Sequence, residues 1–470
     1  MRVSQANQKS EITNQKSKSG RSFNHKGAGM NAQNSRTVAA AALALLVCCS
    51  AWAQQAAEPA TVPAPKARAK AVIQIWLAGG PSHVDTFDPK PDAGVDYSGP
   101  LVSPIQTNAP AIKISQLLPL LAQQADKYSL IRSMTHGDDG HETAAYVMQT
   151  GHVPSDDVVY PSLGVLVSYF KGYDRGYKSV IPPYVVLTAS LGRFNETGFL
   201  GQRYKPFVTG GNPNQAVFAV EGIFTLGISD QRQRNRRDLM HTLDSLGKAM
   251  PGNPAFELLD RTEENAEATL GDARKLFDLS QEKPELRDRY GRTQFGQSCL
   301  MARRLVERGV PYITINYGGW DDHDRIFEKL RLRLPDLDKG LSALLQDLSD
   351  RGLLDSTIVW CSGEFGRKPK LDWDPPWNGG RNHWGSCFSV LVAGGGFKGG
   401  RVVGESDAKG ERVAERPVYP PDLLGSICEL LGIDPDGPLP NSREMKLQVM
   451  PSWNNGKEGK DLGRLKELMN

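Results

Sequence analysis

The sequence predicts an α/β fold in which a mostly parallel sheet is covered on both faces by helices. Three observations carry this reading. Short, almost unbroken apolar runs recur along the chain, amphipathic helical segments alternate with them, and carboxylates and imidazoles collect beside the ends of those runs. Strands buried on both faces read as continuous apolar stretches and need crossover helices between them. Open sheets of this kind place their chemistry at the carboxyl ends of the strands.

Taken in order, the chain begins with a cation-rich stretch. Residues 1–53 carry Arg2, Lys9, Lys16, Lys18, Arg21, Lys26 and Arg36 against Glu11 alone. Within it, the apolar run from Val38 to Cys49 follows Arg36 and ends in Ser50-Ala51-Trp52-Ala53. This is the pattern of a signal peptide cleaved after Ala53, and the run falls short of the about 20 residues that a membrane span needs. The functional start is expected at Met30, with residues 1–29 an over-long gene model. An organelle transit peptide and a retained anchor are the competing readings. Because the formal net charge is only +3 over 470 residues, the body beyond residue 53 is mildly acidic. Such a surface gives no electrostatic reason to expect a nucleic-acid partner. Residues 54–70 are rich in Pro and Ala and read as a flexible tether, and residues 71–470 as one domain.

The first strand is expected over 71–77 (AVIQIWL), running into Gly79-Gly80-Pro81. A helix is expected over 115–127, where Leu117, Leu118, Leu121 and Ala125 share a side, then a short strand over 128–132. Another strand covers 181–187, with Pro182 and Pro183 at its start. Residues 230–295 are charged and helix-favouring; the run 232–238 (RQRNRRD) reads as a solvated helix face. An amphipathic helix over 297–309 closes at Gly309 and leads into a strand over 310–316. Leucines 337, 341, 344, 345 and 348 mark the next helix, stopped by Gly352. Strands over 357–361 and 387–393 complete the series. Beyond the signal segment, Cys299, Cys361, Cys387 and Cys428 form no C-x-x-C pair and read as small buried apolar groups, with a Cys361–Cys387 disulfide as the alternative.

The chemistry-bearing residues sit next to these strands. Asp321 and His323 in Gly319-Trp320-Asp321-Asp322-His323 are two apart, so extended backbone sends both to one side, a half-site for a divalent ion. Glu364 and Arg367 follow the strand over 357–361, and Arg381 and His383 precede the one over 387–393. Charged groups there need a partner or a ligand: Glu364 and His383 are candidate metal ligands, Arg367 and Arg381 candidate anion clamps. His83, Asp85 and Asp88 follow the first strand, with Asp85 the candidate ligand. His141, Glu142 and Thr143 open a helix ending at Thr150-Gly151, and are candidates for base or nucleophile, capping being the simpler role of Thr143.

The segments GGPSHVDTFDPKP, ARRLVERGV, WDDH, LDSTIVWCSGEFGRKP, GRNHW and AGGGFKGGRVVGESD together resemble the family called domain of unknown function 1501, from Ala71 to about Gly432. That resemblance implies an alkaline phosphatase/sulfatase-like, three-layer α/β/α sandwich. It implies a metal set of Asp85, Asp321, His323, Glu364 and His383. Two places depart from the wider superfamily: Gly79-Gly80 replace an acid after the first strand, and His141 stands where sulfatases carry Cys or Ser. Formylglycine chemistry is therefore excluded at that position. The expectation is a periplasmic or extracellular hydrolase of phosphate or sulfate esters using zinc, manganese or calcium. Its substrate would be a small-molecule or glycan ester, with no membrane span left after signal cleavage. The alternative is a degenerate binding protein for anionic glycans on the same scaffold.

Overall fold

In the computed structural model, residues 65–190, 197–220, 232, 235, 271–441, 445–451 and 463–469 are described. Their centre is an eight-stranded sheet. Its strands are β1 (Ala71–Leu77), β2 (Tyr128–Met134), β3 (Tyr184–Leu187), β4 (Phe207–Val208), β5 (Tyr312–Tyr317), β6 (Thr357–Ser362), β7 (Phe388–Ala393) and β8 (Val402–Val403). The spatial order is β8-β2-β7-β6-β1-β5-β3-β4. All pairings are parallel except those of β7, which runs antiparallel to both β2 and β6.

Alternation along β1 shows why the sheet is sandwiched. Ile73, Ile75 and Leu77 enter one apolar core, together with α3 (Gln294–Glu307) and α4 (Ile326–Asp350). Val72 and Trp76 enter a second core on the opposite face, with α1 (His141–Thr150), α2 (Leu163–Lys171) and α5 (Pro420–Leu430). In β6, Val359 and Cys361 face the first core and Ile358 and Trp360 the second. A strand apolar on both faces is stable only between two helical layers, so the three-layer α/β/α sandwich follows from the side-chain pattern itself. Residues Ala64–Asn470 form one compact unit.

Several elements differ from expectation. Over 115–127 only Pro119–Ala122 is helical; Pro119 lacks an amide hydrogen and fits the first helical position, not the interior. The helix around the 337–348 leucines begins earlier, at Ile326, and contains Pro335. The expected tether is anchored before residue 70: the amides of Arg68 and Ala69 both donate to the Leu430 carbonyl, at 2.8 and 2.9 Å. All four cysteines beyond the signal segment are free and buried, so Cys361 and Cys387 pack as apolar groups. The signal segment, Met30, residues 54–64 and nearly all of the 232–238 run lie outside the described residues. Among the described residues no helix is long and apolar enough to cross a membrane.

One buried histidine gives the fold an acid-sensitive element away from the sheet edge. His152 stacks on Tyr160 with ring centroids 3.4 Å apart, and its side chain is nearly enclosed. Burial lowers its pKa from the ordinary 6.5 to about 4. The unfolded chain therefore takes up this proton first, and stability is lost as pH falls from about 6.5 towards about 4. His152→Phe keeps the stacking and removes the titration. Urea unfolding of the variant at pH 7 and pH 4.5 should show a stability loss smaller than wild type by about 2–3 kcal/mol. Equal losses in the two proteins would refute the assignment.

Candidate metal centre

The register of the sheet brings the motif residues to one edge. Leu77 lies opposite Tyr317, Trp76 opposite Ser362, and Phe388 opposite Met134. The carboxyl ends of β1, β2, β5 and β6 thus meet the amino end of antiparallel β7. Asp321 and His323 follow β5, Glu364 follows β6, and His141 begins α1 after β2. His383 lies in a short antiparallel pair, Gly366–Arg367 with His383–Trp384.

One ligand atom each from His141, Asp321 and His383 lies within 4.8 Å of the others. Nε2 of His141 is 3.3 Å from Asp321 Oδ2, and Nε2 of His383 is 3.0 Å from Oδ1. His323 adjoins them, its Nε2 3.0 Å from Asp321 Oδ1 and 3.0 Å from His383 Nε2. Each imidazole has an acceptor behind it. His141 Nδ1 faces Glu364 Oε1 at 2.7 Å, His383 Nδ1 faces the Asp139 carbonyl at 2.8 Å, and His323 Nδ1 faces Asn382 Oδ1 at 3.2 Å. The Asn382 amide nitrogen donates to Asp372, which leaves its oxygen for His323. With the ring protons on Nδ1, facing these acceptors, the three Nε2 atoms would turn lone pairs towards one carboxylate. Lone pairs facing carboxylate oxygens at 3 Å repel unless a cation lies among them, and acceptors behind the rings are the usual outer partners of metal-bound histidines. The donor set therefore fits a divalent ion.

The electrostatics agree. Partial burial opposes ionisation of Asp321, yet hydrogen bonding from Arg367 outweighs it and holds the carboxyl well below the usual range. The hydrogen bond to Glu364 raises the basicity of His141, whereas burial lowers that of His383. Phe365 stacks on His383 at 4.5 Å and lies 5.0 Å from His141, forming an apolar wall.

Gly79 explains the missing acid after the first strand. Its φ is +110°, and a Cβ there would lie 2.3 Å from the Asp321 amide nitrogen. Only glycine lets the end of β1 approach the Asp321 loop this closely. Its own amide then donates to Glu364 Oε1 and Oε2 at 3.0 and 3.1 Å.

Several expected site residues take other places. Glu364, read as a ligand, has its carboxylate engaged by His141 and Gly79, so it holds the His141 ring in place. Asp85 pairs with Arg381 through bonds of 2.7 and 3.0 Å, and neither side chain has exposed surface. Asp85 is thus not among the groups that face the histidines. Arg381 also donates to the carbonyls of Tyr97, Lys368 and Pro369. Arg367 is likewise enclosed, donating to the carbonyls of Gly79, Gly80, Trp320 and Arg381 and to Asp321. Both guanidiniums tie loops together, so burial removes them from an anion-clamping role. His141, a candidate nucleophile by sequence, lies in the group that could hold a metal ion, while Glu142 is exposed and Thr143 half-buried in the first turn of α1. Of the neighbours of Asp321, Asp322 pairs with Arg333 and Lys329, and Asp324 with Arg325 and Lys329. Sequence reasoning missed Asp139 and Asn382; the only signal for Asp139 was its turn, Gly137-Asp138-Asp139-Gly140, just before His141.

Fold and site define a three-layer α/β protein with a histidine–carboxylate centre at the carboxyl edge of its sheet. The chain belongs to the family described as protein of unknown function (DUF1501), whose pattern it matches over residues 69–449. Among curated proteins none matches the sequence. Solved structures similar to it include a protein of the alkaline phosphatase superfamily from Vibrio parahaemolyticus, at 11% identity over 83% of this chain and 75% of that one, TM-score 0.35. The PsFucS1 sulfatase from Pseudoalteromonas sp. is 14% identical over 86% and 72%, TM-score 0.32. The phosphonate monoester hydrolase SpPMH from Silicibacter pomeroyi is 11% identical over 86% and 76%, TM-score 0.36.

Proposed function

We propose that this chain is an exported, metal-dependent hydrolase of phosphate or sulfate esters, with His141, Asp321 and His383 holding the ion and His323 beside them. The observation that carries the reading is the set of three imidazoles with acceptors behind Nδ1 and Nε2 turned to one carboxylate. The imidazole nitrogens of His141 and His383 favour zinc or manganese over calcium, which prefers oxygen. Such an ion would acidify a bound water towards pKa ~7 and offset negative charge on the ester oxygens.

The chain's own residues prepare the place. Glu364 fixes the ring of His141, and Arg367 keeps Asp321 ionised. α1 begins at His141, and its N-cap Gly140 supplies no side-chain acceptor, so the positive end of a ten-residue helix points to the cluster. That end favours an anionic ester group. Phe365 limits water on one side. The signal segment supports a periplasmic or extracellular location.

A second reading, binding of anionic glycans without turnover, is favoured by one observation: His141, held by Glu364, occupies the helix start where a hydroxyl or thiol nucleophile would stand. The test is purified protein stripped of metal, then resupplied with zinc or manganese and offered p-nitrophenyl phosphate and p-nitrophenyl sulfate. Metal uptake with restored turnover is the expected result. Uptake with no product from either ester leaves the binding reading in its place, and failure to take up metal refutes both ion-based readings.

A further inference from the structure

The turn between the two strands of the short antiparallel pair carries two exposed indoles beside the metal centre. Trp373 is 45% and Trp377 38% exposed, large values for so large an aromatic side chain. Trp377 is the next ring outward from the cluster: His323 lies 4.7 Å from His383, and Trp377 6.0 Å from His323, centroid to centroid. Trp373 sits over Gly379, where a Cβ would come within 2.8 Å of its ring.

The turn is held in place. Asp372 and Gly380 bridge, with the Asp372 amide donating to the Gly380 carbonyl at 3.1 Å and the Gly379 amide to the Asp372 carbonyl at 2.9 Å. The amide of Trp377 donates to Asp374 at 2.9 Å. Across the site, the amides of Arg325 and Ile326 donate to the carbonyls of Trp377 and Gly379 at 3.0 and 3.2 Å. The loop that carries His323 and the turn that carries Trp377 are therefore one unit. A Cβ on Gly380 would overlap the His323 carbonyl, which shows how closely they fit. A rigid aromatic surface left in water gains nothing for folding, but loses little entropy when a ligand covers it.

We propose that Trp377, with Trp373 beyond it, is a stacking subsite for a sugar ring of the substrate, so that the ester cleaved at the metal centre is carried by a carbohydrate. This inference rests on the ester-hydrolase reading and adds the chemical class of the non-reacting part. The choice follows from the neighbours of the indoles. Asp374 and Asn378 are exposed on the same turn and offer hydrogen-bonding groups to hydroxyls. A lipid surface would meet those polar groups unfavourably. Stacked bases of a nucleic acid would call for a cationic groove, whereas on the turn Asp372 and Asp374 offset Lys368 and Lys370. A pyranose presents C–H groups to an indole face and hydroxyls to the rim, which matches both.

The test uses the full chain loaded with zinc or manganese, as wild type, Trp377→Ala, Trp377→Phe and Trp373→Ala. Calorimetric titration against a panel of sulfated and phosphorylated galactose, glucose and fucose oligosaccharides of two to six rings gives affinity, and elemental analysis gives metal content. Wild type should bind at least one panel member. Trp377→Ala should weaken that binding about tenfold or more, the loss of one stacked ring. Trp377→Phe should recover most of it, Trp373→Ala should weaken the longer oligosaccharides most, and metal content should match in all four. Undiminished binding by Trp377→Ala, or metal-loaded wild type that binds no panel member, overturns the sugar subsite and leaves the ester-hydrolase reading standing. Wild type that takes up no metal overturns that reading, and the subsite with it.

Discussion

His383→Ala is expected to lower metal affinity by at least about 100-fold, beyond the 10–100-fold typical of losing an outer partner of a ligand. The side chain contributes one of the Nε2 atoms closest to Asp321, and its Nδ1 partner is a backbone carbonyl that does not move with the substitution. His141→Ala should act similarly. His323→Ala should cost less, because its Nε2 adjoins the group formed by the other three residues and is not part of it. Chelator competition followed by elemental analysis measures the order. A ligand that binds only the folded state also raises the melting temperature, so the metal-induced shift of wild type should vanish in His383→Ala. A variant retaining wild-type metal at equimolar chelator would remove the cluster as the metal centre.

Much of the fold was legible because its information is local. β1, β6 and β7 are largely apolar and buried along their whole length, the pattern of strands covered on both faces. The helix expected over 115–127 shows the opposite case. Its leucines share a side, yet the helix cannot begin before Pro119, whose missing donor fits only the first helical position, and it spans Pro119–Ala122. The candidate site divides along the same line. Asp321, His323 and His383 could be singled out because each lies within a few residues of a buried strand. The pairing of Glu364 with His141, which leaves His141 and not Glu364 in the group that could hold an ion, could not. Those residues are 223 positions apart, and which atoms of each face one another is set only by the fold. Gly79 stands where the resemblance implies an acidic residue. The reason for glycine, the approach of Asp321 to within 2.3 Å of where a Cβ would be, exists only once two strands lie side by side.

Depth of burial is the other property that residue type conceals, and Asp85 provides its sharpest test. By resemblance it is a metal ligand; by position it is the counter-charge of Arg381, with both side chains wholly enclosed. The two roles predict different variants. If Asp85 neutralises Arg381, Asp85→Ala leaves a buried guanidinium with carbonyl partners and no anion, a change that costs about 3–5 kcal/mol. Metal bound per folded molecule should then stay at the wild-type value, since the His141, Asp321 and His383 atoms are untouched. Replacing both partners, as Asp85→Leu with Arg381→Met, should recover part of the loss, because an apolar pair needs no counter-charge. If Asp85 were a ligand, Asp85→Ala would shed metal with a small change in the stability of the metal-free protein. Urea unfolding with and without chelator, with metal analysis of the folded fraction, separates the outcomes. A metal-free Asp85→Ala protein as stable as metal-free wild type would overturn the ion-pair role. The geometry predicts a protein several kcal/mol weaker, because the two hydrogen bonds from Arg381 already occupy both oxygens of the carboxylate.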